Sequence, residues 1–245
     1  MTDLPQAASP DRPVPQKNNG GYYVVRVRFF KIGNLQYISH LDLIRTLSKV
    51  VVRTRLPLWY TEGFNPKPKI SYAAPLSVGT ESLCEYMDIR LTDYVPEEEV
   101  LAALNRNLTD EMQVTDVCYP QTKLTDLCWI AYEIRIHTAG VCDELAKACE
   151  EVLTADEVLI RKTGKAGEHT VDIRPAIRSA SVACEGEELV LRCVLRSDAT
   201  AFLNPEHLIR LLKERCGILS DPVIIHEWYG IKRLCAYDEN MNIFA

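Results

Sequence analysis

The residues best suited to chemistry lie in the run 61–69, where lysines and prolines alternate. Its sequence reads Thr-Glu-Gly-Phe-Asn-Pro-Lys-Pro-Lys. The prolines restrict the backbone and the glycine permits a positive φ, so we expect a stiffened loop. Such a loop would present Lys67, Lys69 and the amide of Asn65 to a phosphate group. The alternative is a simple ordered connection between a helix and a strand, although long ordered loops are often functional.

A second basic surface is predicted on the strand Tyr22–Lys31. Arg26, Arg28 and Phe30 alternate with apolar residues and would share one face of this strand. Basic side chains beside an aromatic ring on an open sheet suit base stacking and backbone contact with RNA. The alternative is that this face packs on helices or on the other half of the chain. The complete set of predicted RNA or phosphate contacts is Arg26, Arg28, Lys31, Arg45, Arg53, Asn65, Lys67, Lys69 and Arg174.

The charge of the chain is unevenly distributed. Residues 22–79 carry nine Lys or Arg residues against two acidic residues, whereas the whole chain has a net charge of −6. An asymmetry of this size predicts an anionic partner for residues 22–79. The overall acidity argues against indiscriminate binding to nucleic acid.

Two further residues are candidates for a site. His40 falls at the predicted start of a helix, where a general base is conceivable. Ser39 and Asp42 beside it are explained by a capping signal, and a single histidine is more often structural. Arg174, at a predicted strand end, could bind a carboxylate or a phosphate, with an internal ion pair to Asp172 as the alternative.

Missing motifs exclude several classes of enzyme and cofactor. The chain contains no GxxxxGK[ST], GxGxxG, GxSxG or HExxH. Its nine cysteines include no CxxC, so neither a metal nor a cofactor is expected. An odd number of cysteines without a secretion signal favours reduced thiols in the cytoplasm. No run approaches about 18 apolar residues, so no membrane span is expected.

The elements that would position these residues occur in the order β-α-β-β-α-β. Alternation predicts strands, and capping signals and prolines predict two helices, which follow Ser39 and Pro96. The second half repeats this order with one extra strand. Strands are predicted at 22–31, 70–74, 84–92, 112–119, 129–137, 157–162, 171–175, 188–196 and 222–229, and second-half helices at 141–153 and 205–216.

The predicted fold class is therefore α+β, with two tandem ferredoxin-like (βαββαβ) units, each with an antiparallel sheet. Residues 1–21 are expected to form a disordered N-terminal tail. The first ferredoxin-like domain, with the basic loop, would span 22–120 and the second 128–232. Residues 233–245 would form a C-terminal tail.

Five motifs, taken together, resemble the radical-SAM-associated (radical-SAM-linked) protein family, a domain of unknown function. The resemblance covers residues 22–230. The motifs are Arg-Phe-Phe-Lys-Ile-Gly at 28–33, Tyr-Ile-Ser-His-Leu-Asp-Leu-Ile-Arg at 37–45, Gly-Phe-Asn-Pro-Lys-Pro-Lys-Ile-Ser-Tyr at 63–72, Pro-Leu-Ser-Val-Gly at 75–79 and Asp-Ile-Arg-Pro at 172–175.

This resemblance implies a radical SAM protein as partner. In that family the domain stands alone beside a gene for a radical SAM protein, or is fused to that protein's C-terminus. Genes for an RNase of the E/G type and for ribosomal proteins often lie nearby. The family has no established activity and so supplies no catalytic residues. The chain lacks the CxxxCxxC that holds the iron–sulfur cluster of radical SAM enzymes, so it is not expected to run their chemistry.

Three functions follow from the sequence as hypotheses. The leading one is a non-catalytic accessory protein that presents an RNA substrate, ribosomal or transfer RNA, to a radical SAM enzyme. The runner-up is a metal-independent endoribonuclease using His40, because tandem ferredoxin-like units also resemble the proteins that process CRISPR transcripts, although the glycine-rich loop of those proteins is absent. The third is a protein–protein docking module whose basic segment contacts an acidic partner.

Overall fold

The computed structural model describes residues 15–164, 167–198, 201–220 and 226–245. These ranges form an α+β structure of four helices and ten strands. The helices are α1 (His40–Arg53), α2 (Glu97–Asn105), α3 (Asp143–Thr154) and α4 (Glu206–Cys216). The strands are β1 (Tyr23–Lys31), β2 (Ile70–Tyr72), β3 (Thr80–Leu91), β4 (Val114–Cys118), β5 (Trp129–His137), β6 (Leu159–Gly164), β7 (Gly167–Asp172), β8 (Ile177–Glu185), β9 (Glu188–Arg196) and β10 (Trp228–Tyr237).

Eight of these strands form one sheet that runs through both halves of the chain. Its order is β4-β1-β3-β10-β5-β9-β8, and β2 also pairs with β3. Neighbouring strands are antiparallel except for β10 and β3, which are parallel. Strands β6 and β7 form a separate antiparallel hairpin.

The junction between the halves corrects the prediction of a separate sheet in each. Strand β3 pairs with β2 near its C-terminal end, at Met87–Ile89, and pairs with β10 at its first three residues. The parallel pairing joins Ile231–Arg233 to Thr80–Ser82, which lie about 150 positions apart in the chain. No local sequence pattern encodes a pairing between residues so distant, and alternation in each strand is the same with or without it.

Two hydrophobic cores lie on either side of this junction. In the first half, α1 and α2 pack against the side of β1 that carries Val25, Val27 and Phe29. In the second half, α3 and α4 pack on the apolar side of β5, which carries Ile130 and Ile134. Strand β3 contributes to both cores, so the halves share a structural element.

Local signals set the ends of the helices as the sequence predicts. The hydroxyl of Ser39 accepts a hydrogen bond from the main-chain N–H of Asp42 (3.2 Å) and donates one to the Asp42 carboxylate (2.7 Å). The hydroxyl holds the pKa of Asp42 below its ordinary value, with a smaller contribution from Arg45. Gly217 follows α4 with a φ of 72°, a backbone conformation that glycine adopts without strain.

The last strand lies further along the chain than predicted. Residues 222–225 of the predicted strand lie outside the described residues, and β10 begins at Trp228 and continues to Tyr237. Residues 233–245 are therefore not a tail: they complete β10 and then fold back, so that Phe244 is buried and its N–H donates to the oxygen of Ala236 (2.9 Å). Residues 1–14 of the predicted N-terminal tail are also outside the described residues.

Strand β8 was not predicted, and the strand predicted at 171–175 is shorter. Strand β7 ends at Asp172, and Arg174–Ala176 form a 3-10 turn. The side chains of β8 from Ser179 to Cys184 are small and alternate weakly between half-buried and exposed. The strand therefore lacks the large apolar residues that mark a half-buried strand in sequence.

Candidate nucleic-acid interface

The run 59–69, which contains the predicted basic loop, forms a two-stranded projection that we call the finger. Tyr60 and Pro68 face each other across it. The N–H of Thr61 donates to the oxygen of Lys67 (2.8 Å), and the N–H of Lys67 donates back to the Thr61 hydroxyl (3.0 Å). The N–H of Lys69 donates to the oxygen of Trp59 (2.9 Å). These bonds fix the two sides of the finger as far as Thr61 and Lys67.

The base of the finger is attached to β3. The N–H of Trp59 donates to the oxygen of Arg90 (2.8 Å), and the N–H of Arg90 donates to the oxygen of Lys69 (3.1 Å). Tyr22 adds to this attachment. Its ring lies 5.2 Å from the Trp59 ring, and the Arg90 guanidinium lies 4.5 Å from the centroid of the Tyr22 ring. A cation held over an aromatic ring adds stabilisation to this contact. The tip is thus presented from a rigid base.

The tip exposes one aromatic ring and two ammonium groups. Phe64 is fully exposed. Asn65, Lys67 and Lys69 are also exposed. Neither lysine forms an ion pair within the described ranges. A rigid element with a free aromatic ring and free cations has the chemistry needed to stack on a base and contact the adjoining phosphates.

The predicted contacts on α1 are accessible as well. Arg45 is 69% exposed and pairs with Asp42 at 3.1 Å, a solvent-exposed ion pair of small net energy that an anionic ligand can replace. Arg53 is exposed in the last turn of the helix, six positions before the finger begins. These two arginines, with Asn65, Lys67 and Lys69, are the predicted residues of the first half that are exposed.

The structure corrects the prediction for Arg26, which is 1% exposed. Its guanidinium forms a bidentate ion pair with Asp88, at 2.8 and 3.0 Å. It also donates to the Thr122 hydroxyl (2.7 Å) and to the main-chain oxygen of Ala245 (3.0 Å). Arg26 therefore holds Thr122 and Ala245 against β1, and its side chain is closed to RNA.

Lys31 is corrected in the same way, whereas Arg28 is only half-buried. Lys31 is 1% exposed, and its Nζ donates to the oxygen of Leu35 (3.0 Å). Burial lowers the pKa of Lys31 from its ordinary value, although Glu85 opposes the change. Arg28 is half-buried, with its Nε enclosed and without a hydrogen-bond partner among the described residues. The basic face predicted on β1 is thus largely internal. This agrees with the alternative prediction, in which that face packs against other parts of the chain.

His40 lies in the first turn of α1, as predicted, but in a poor setting for catalysis. Its ring meets the Tyr72 ring edge-on at 6.4 Å, and its Nδ1 is buried without a hydrogen-bond partner among the described residues. Burial raises the pKa of Tyr72, and the neighbouring Ser48 hydroxyl opposes that rise. A histidine base needs a group that orients its second ring nitrogen. The buried Nδ1 finds no such group in the described part of the chain.

Arg174 has a structural role. Its guanidinium donates to the oxygen of Ile177 (2.7 Å) across a short turn. The Asp172 carboxylate accepts hydrogen bonds from the N–H groups of Arg174 and Val158, both at 2.9 Å. The predicted internal Asp–Arg pair is therefore a carboxylate bonded to main-chain N–H groups, and it closes the turn after β7.

Four of the cysteines, Cys84, Cys118, Cys149 and Cys193, are buried as small apolar residues. All nine are free thiols, and burial raises the pKa of Cys149 and of Cys193 to about 12, so neither forms a reactive thiolate near neutral pH. In the ranges that the structure describes, no three His, Cys, Asp or Glu side chains are grouped to hold a metal ion. No helix in those ranges has the length and apolar character needed to cross a membrane.

Sequence reasoning missed two aromatic features of this surface. The sequence predicts contacts at Asn65, Lys67 and Lys69 but not at Phe64, although an apolar side chain between Gly63 and Asn65 in a polar loop is a usable signal. The attachment of Trp59 to Tyr22 and Arg90 had no such signal, because it depends on the pairing of the finger with β3.

Comparisons with known proteins identify one family. A family model described as an uncharacterized protein conserved in bacteria (DUF2344) matches residues 25–205. No curated protein matches the chain. A crystal structure of a Cbf5-Nop10-Gar1 complex contains a chain that is 12% identical, with a TM-score of 0.49, over 88% of this chain and 50% of that one. An unknown protein from Galdieria sulphuraria is 10% identical, with a TM-score of 0.25, over 86% and 98% of the two chains. This chain thus spans half the length of the first of these structures.

Proposed function

The chain belongs to the DUF2344 family of uncharacterized proteins conserved in bacteria, and we propose that it is a non-catalytic accessory protein that binds single-stranded RNA through the finger. In this proposal the finger binds the RNA, and no residue has a catalytic role. The RNA would be a substrate that the chain presents to a second protein.

One observation carries this proposal: Phe64 is fully exposed, and it is presented with Lys67 and Lys69 by a finger whose two sides are hydrogen-bonded to each other as far as Thr61 and Lys67. Stacking on an aromatic side chain is available to any unpaired base, whereas bases inside a duplex are covered by their neighbours. A pre-ordered finger loses little conformational entropy when it binds. The arrangement therefore favours a single-stranded segment, and the exposed Arg45 and Arg53 of α1 would supply further phosphate contacts.

The proposal includes a tandem ferredoxin-like layout for the two halves. Its support is the strand order, which within the first half is β4-β1-β3 with β2 beside β3, and within the second half is β10-β5-β9-β8. Both halves thus place their fourth strand beside their first, and their third between the first and second. The β6–β7 hairpin is then an insertion between α3 and β8.

The partner in this proposal is a radical SAM protein. The support is the resemblance of the five sequence motifs, together with the absence of a CxxxCxxC motif in this chain. The iron–sulfur chemistry would belong to the partner, and the RNA-binding surface to this chain. Crosslinking in cells, followed by identification of the attached RNA and protein, tests both parts at once.

The direct test is a titration with single-stranded RNA at several salt concentrations. We expect Lys67→Glu/Lys69→Glu to fold normally, to bind more weakly, and to lose about 0.7 in log–log salt slope for each single-strand phosphate contact removed. Lys147→Glu/Arg215→Glu makes the same change in net charge at exposed positions of the second half and is the matched control. If the RNA titration curves of the native chain and the Lys67/Lys69 variant superimpose, the finger is not an RNA-binding site.

A docking role is the second candidate, because an exposed ring such as Phe64 can also insert into an apolar pocket of a protein. Binding of a protein partner that depends on Phe64 but is insensitive to RNA and to salt would select it.

A further inference from the structure

The chain reverses direction after α1 at a residue whose backbone conformation is unusual for its type. Arg55 has a φ of 61°, in the left-handed region, and its N–H donates to the oxygen of Val52 (3.5 Å). The next residue, Leu56, is buried, so the chain has to turn inwards at this point. A Cβ is strained in this conformation, and glycine is the usual residue where a helix ends in this way. The fold therefore requires the turn at Arg55 but not an arginine side chain.

The Arg55 side chain has no partner among the described residues that would offset this strain. It is exposed, and within the described ranges its guanidinium forms no hydrogen bond, ion pair or ring contact. A cation near the end of a helix can stabilise the helix dipole, but Arg53, in the last turn of α1, already supplies one. A strained residue that makes no side-chain contact within its own fold is a candidate for contact with a ligand.

Three more cations lie in a row on the exposed side of α1. Arg45, Lys49 and Arg53 are spaced four positions apart, so they share one face of the helix and span about 12 Å along its axis. Lys49 and Arg53 form no ion pair in the described ranges, and Arg45 pairs only with the exposed Asp42. Arg55 follows this row in the chain, four positions before the finger begins.

We propose that the exposed side of α1 binds the phosphates of a single-stranded RNA that continues to the finger, and that Arg55 is one of these phosphate contacts. The inference rests on the proposed function and gives the bound strand a path, along α1 and past Arg55 to the finger. It adds Lys49 and Arg55 to the contacts that the sequence predicts.

A polymer with repeated phosphates fits this surface better than a small anion does. Four cations follow one another in the chain, whereas a single phosphate group needs only one or two of them. Three of the four are arginines, whose planar guanidinium can donate two parallel hydrogen bonds to one phosphate. The exposed side of α1 carries one carboxylate, that of Asp42, so it repels a polyanion little.

The first test is Arg55→Gly, measured both as stability and as binding of an oligouridylate to the full chain. Glycine adopts a positive φ without strain, so the thermal midpoint should rise, by about 2–4 °C. RNA binding should weaken by about tenfold, the scale of a lost charge-assisted hydrogen bond. The log–log salt slope should fall by about 0.7, as for one single-strand phosphate contact. A purely structural role for Arg55 predicts no change in binding.

Three variants are controls for this result. Arg55→Lys keeps the charge and the positive φ, so the midpoint and the salt slope should stay close to their native values. Arg215→Gly removes an exposed arginine from the last turn of α4, where glycine disfavours the helix, so the midpoint should fall while RNA binding stays native. Met241→Gly relieves a φ of 65° without removing a charge, and should bind RNA as the native chain does.

Lys49→Ala/Arg53→Ala tests the row on α1. Both side chains are exposed and alanine favours a helix, so the variant should fold normally. Its salt slope should fall by about 0.7 for each phosphate contact that is lost.

The results separate this inference from the proposed function. If Lys67→Glu/Lys69→Glu weakens RNA binding while Arg55→Gly and Lys49→Ala/Arg53→Ala do not, the finger binds RNA and the path along α1 is rejected. If only the α1 and Arg55 variants weaken binding, the phosphate contacts of α1 stand and the finger is rejected as an RNA site. A native chain that binds no RNA at low salt rejects both.

Two further outcomes would overturn the inference. A lower thermal midpoint for Arg55→Gly would show that the arginine stabilises the end of α1 and is not a strained residue. Binding of oligoglutamate as tightly as the RNA, with the same dependence on Arg55, would identify an acidic protein segment as the partner of this surface.

Discussion

Arg233 of β10 and Glu85 of β3 form a 2.8 Å ion pair that is buried where the two halves of the sheet meet. The guanidinium also donates to the main-chain oxygens of Ala74 (3.2 Å) and Pro75 (3.1 Å). Burial disfavours the charge of Arg233, but Glu85 beside it raises the pKa of Arg233, so the charged form persists. One side chain of the second half thereby binds three residues of the first half.

Removal of one partner of this pair should destabilise the whole chain. Glu85→Ala leaves the Arg233 guanidinium buried without its carboxylate, and we expect the free energy of unfolding to fall by about 3–5 kcal/mol. Chemical denaturation measures the change. Lys232→Ala breaks the neighbouring, more exposed pair of Lys232 with Glu81 and should cost no more than about 1 kcal/mol. Equal effects of the two substitutions would show that the buried pair does not join the halves.

The last residues of the described chain should contribute to stability, in contrast to the tail that the sequence predicts. Phe244 is buried against Tyr86, with the ring centroids 5.1 Å apart, and the Arg26 guanidinium lies 4.7 Å from its centroid. We expect Phe244→Ala to lower the free energy of unfolding by about 3–5 kcal/mol. Ile243→Ala, at a 54% exposed neighbouring position, should change it by less than about 0.5 kcal/mol. If both variants unfold like the native chain in thermal or chemical denaturation, the end of the chain adds no stability, as the sequence prediction of a tail implies.

Local patterns predicted the parts of the fold that local interactions determine. Alternation located β1, β5 and β9, and the Ser39 cap and Gly217 located helix ends, because each of these features depends on residues within a few positions. The finger was predicted as a stiff basic loop for the same reason. Its lysines are exposed, as that prediction required.

Features that depend on distant residues could not be read in this way. The alternation of Arg26 fits an open basic face and a buried ion pair equally well. Its partner Asp88 lies 62 positions away, and its other partner, Ala245, lies 219 positions away. The last strand was likewise predicted too early, because β10 is held by its pairing with β5 and β3, which lie far away in the chain. In both cases the pairing of distant segments, not the residue types, decides the structure.

The burial of Lys31 predicts a pH-dependent contribution to stability. Burial lowers the pKa of Lys31 below its ordinary value of 10.5, so between the lowered value and 10.5 the unfolded chain binds a proton that the folded chain has released. Stability from this group therefore rises with pH through that window and is reduced below it. Lys31→Met removes the effect. Chemical denaturation at each pH gives the free energy of unfolding of the variant and of the native chain. The variant's value minus the native value should be more positive at pH 8 than at pH 10.

The matched control is Lys49→Met, which removes a lysine from the exposed side of α1. Its difference from the native chain should not reproduce the trend of Lys31→Met. A Lys31→Met difference that is constant with pH, or that grows as the pH rises, would show that burial of Lys31 carries no such cost.

The final prediction separates stacking from charge at the finger. Phe64 has no buried surface, so Phe64→Ala should change the free energy of unfolding by less than about 0.5 kcal/mol. If its ring stacks on a base, the substitution should weaken binding of single-stranded RNA by about 1–3 kcal/mol, or about 5- to 150-fold. The salt slope should stay at its native value, because no phosphate contact is lost.

This pattern is the converse of the one expected for Lys67→Glu/Lys69→Glu, in which the slope itself falls. Phe202→Ala, at a 43% exposed position of the second half, is the control for loss of an exposed ring and should bind as the native chain does. The measurement is the same RNA titration over several salt concentrations. Stacking contributes to the affinity but not to its salt dependence, whereas phosphate contacts contribute to both. A Phe64→Ala variant with native affinity would therefore show that the finger binds RNA through its charges alone. A variant that loses slope as well as affinity would mean that the tip orders the lysines and does not itself contact a base.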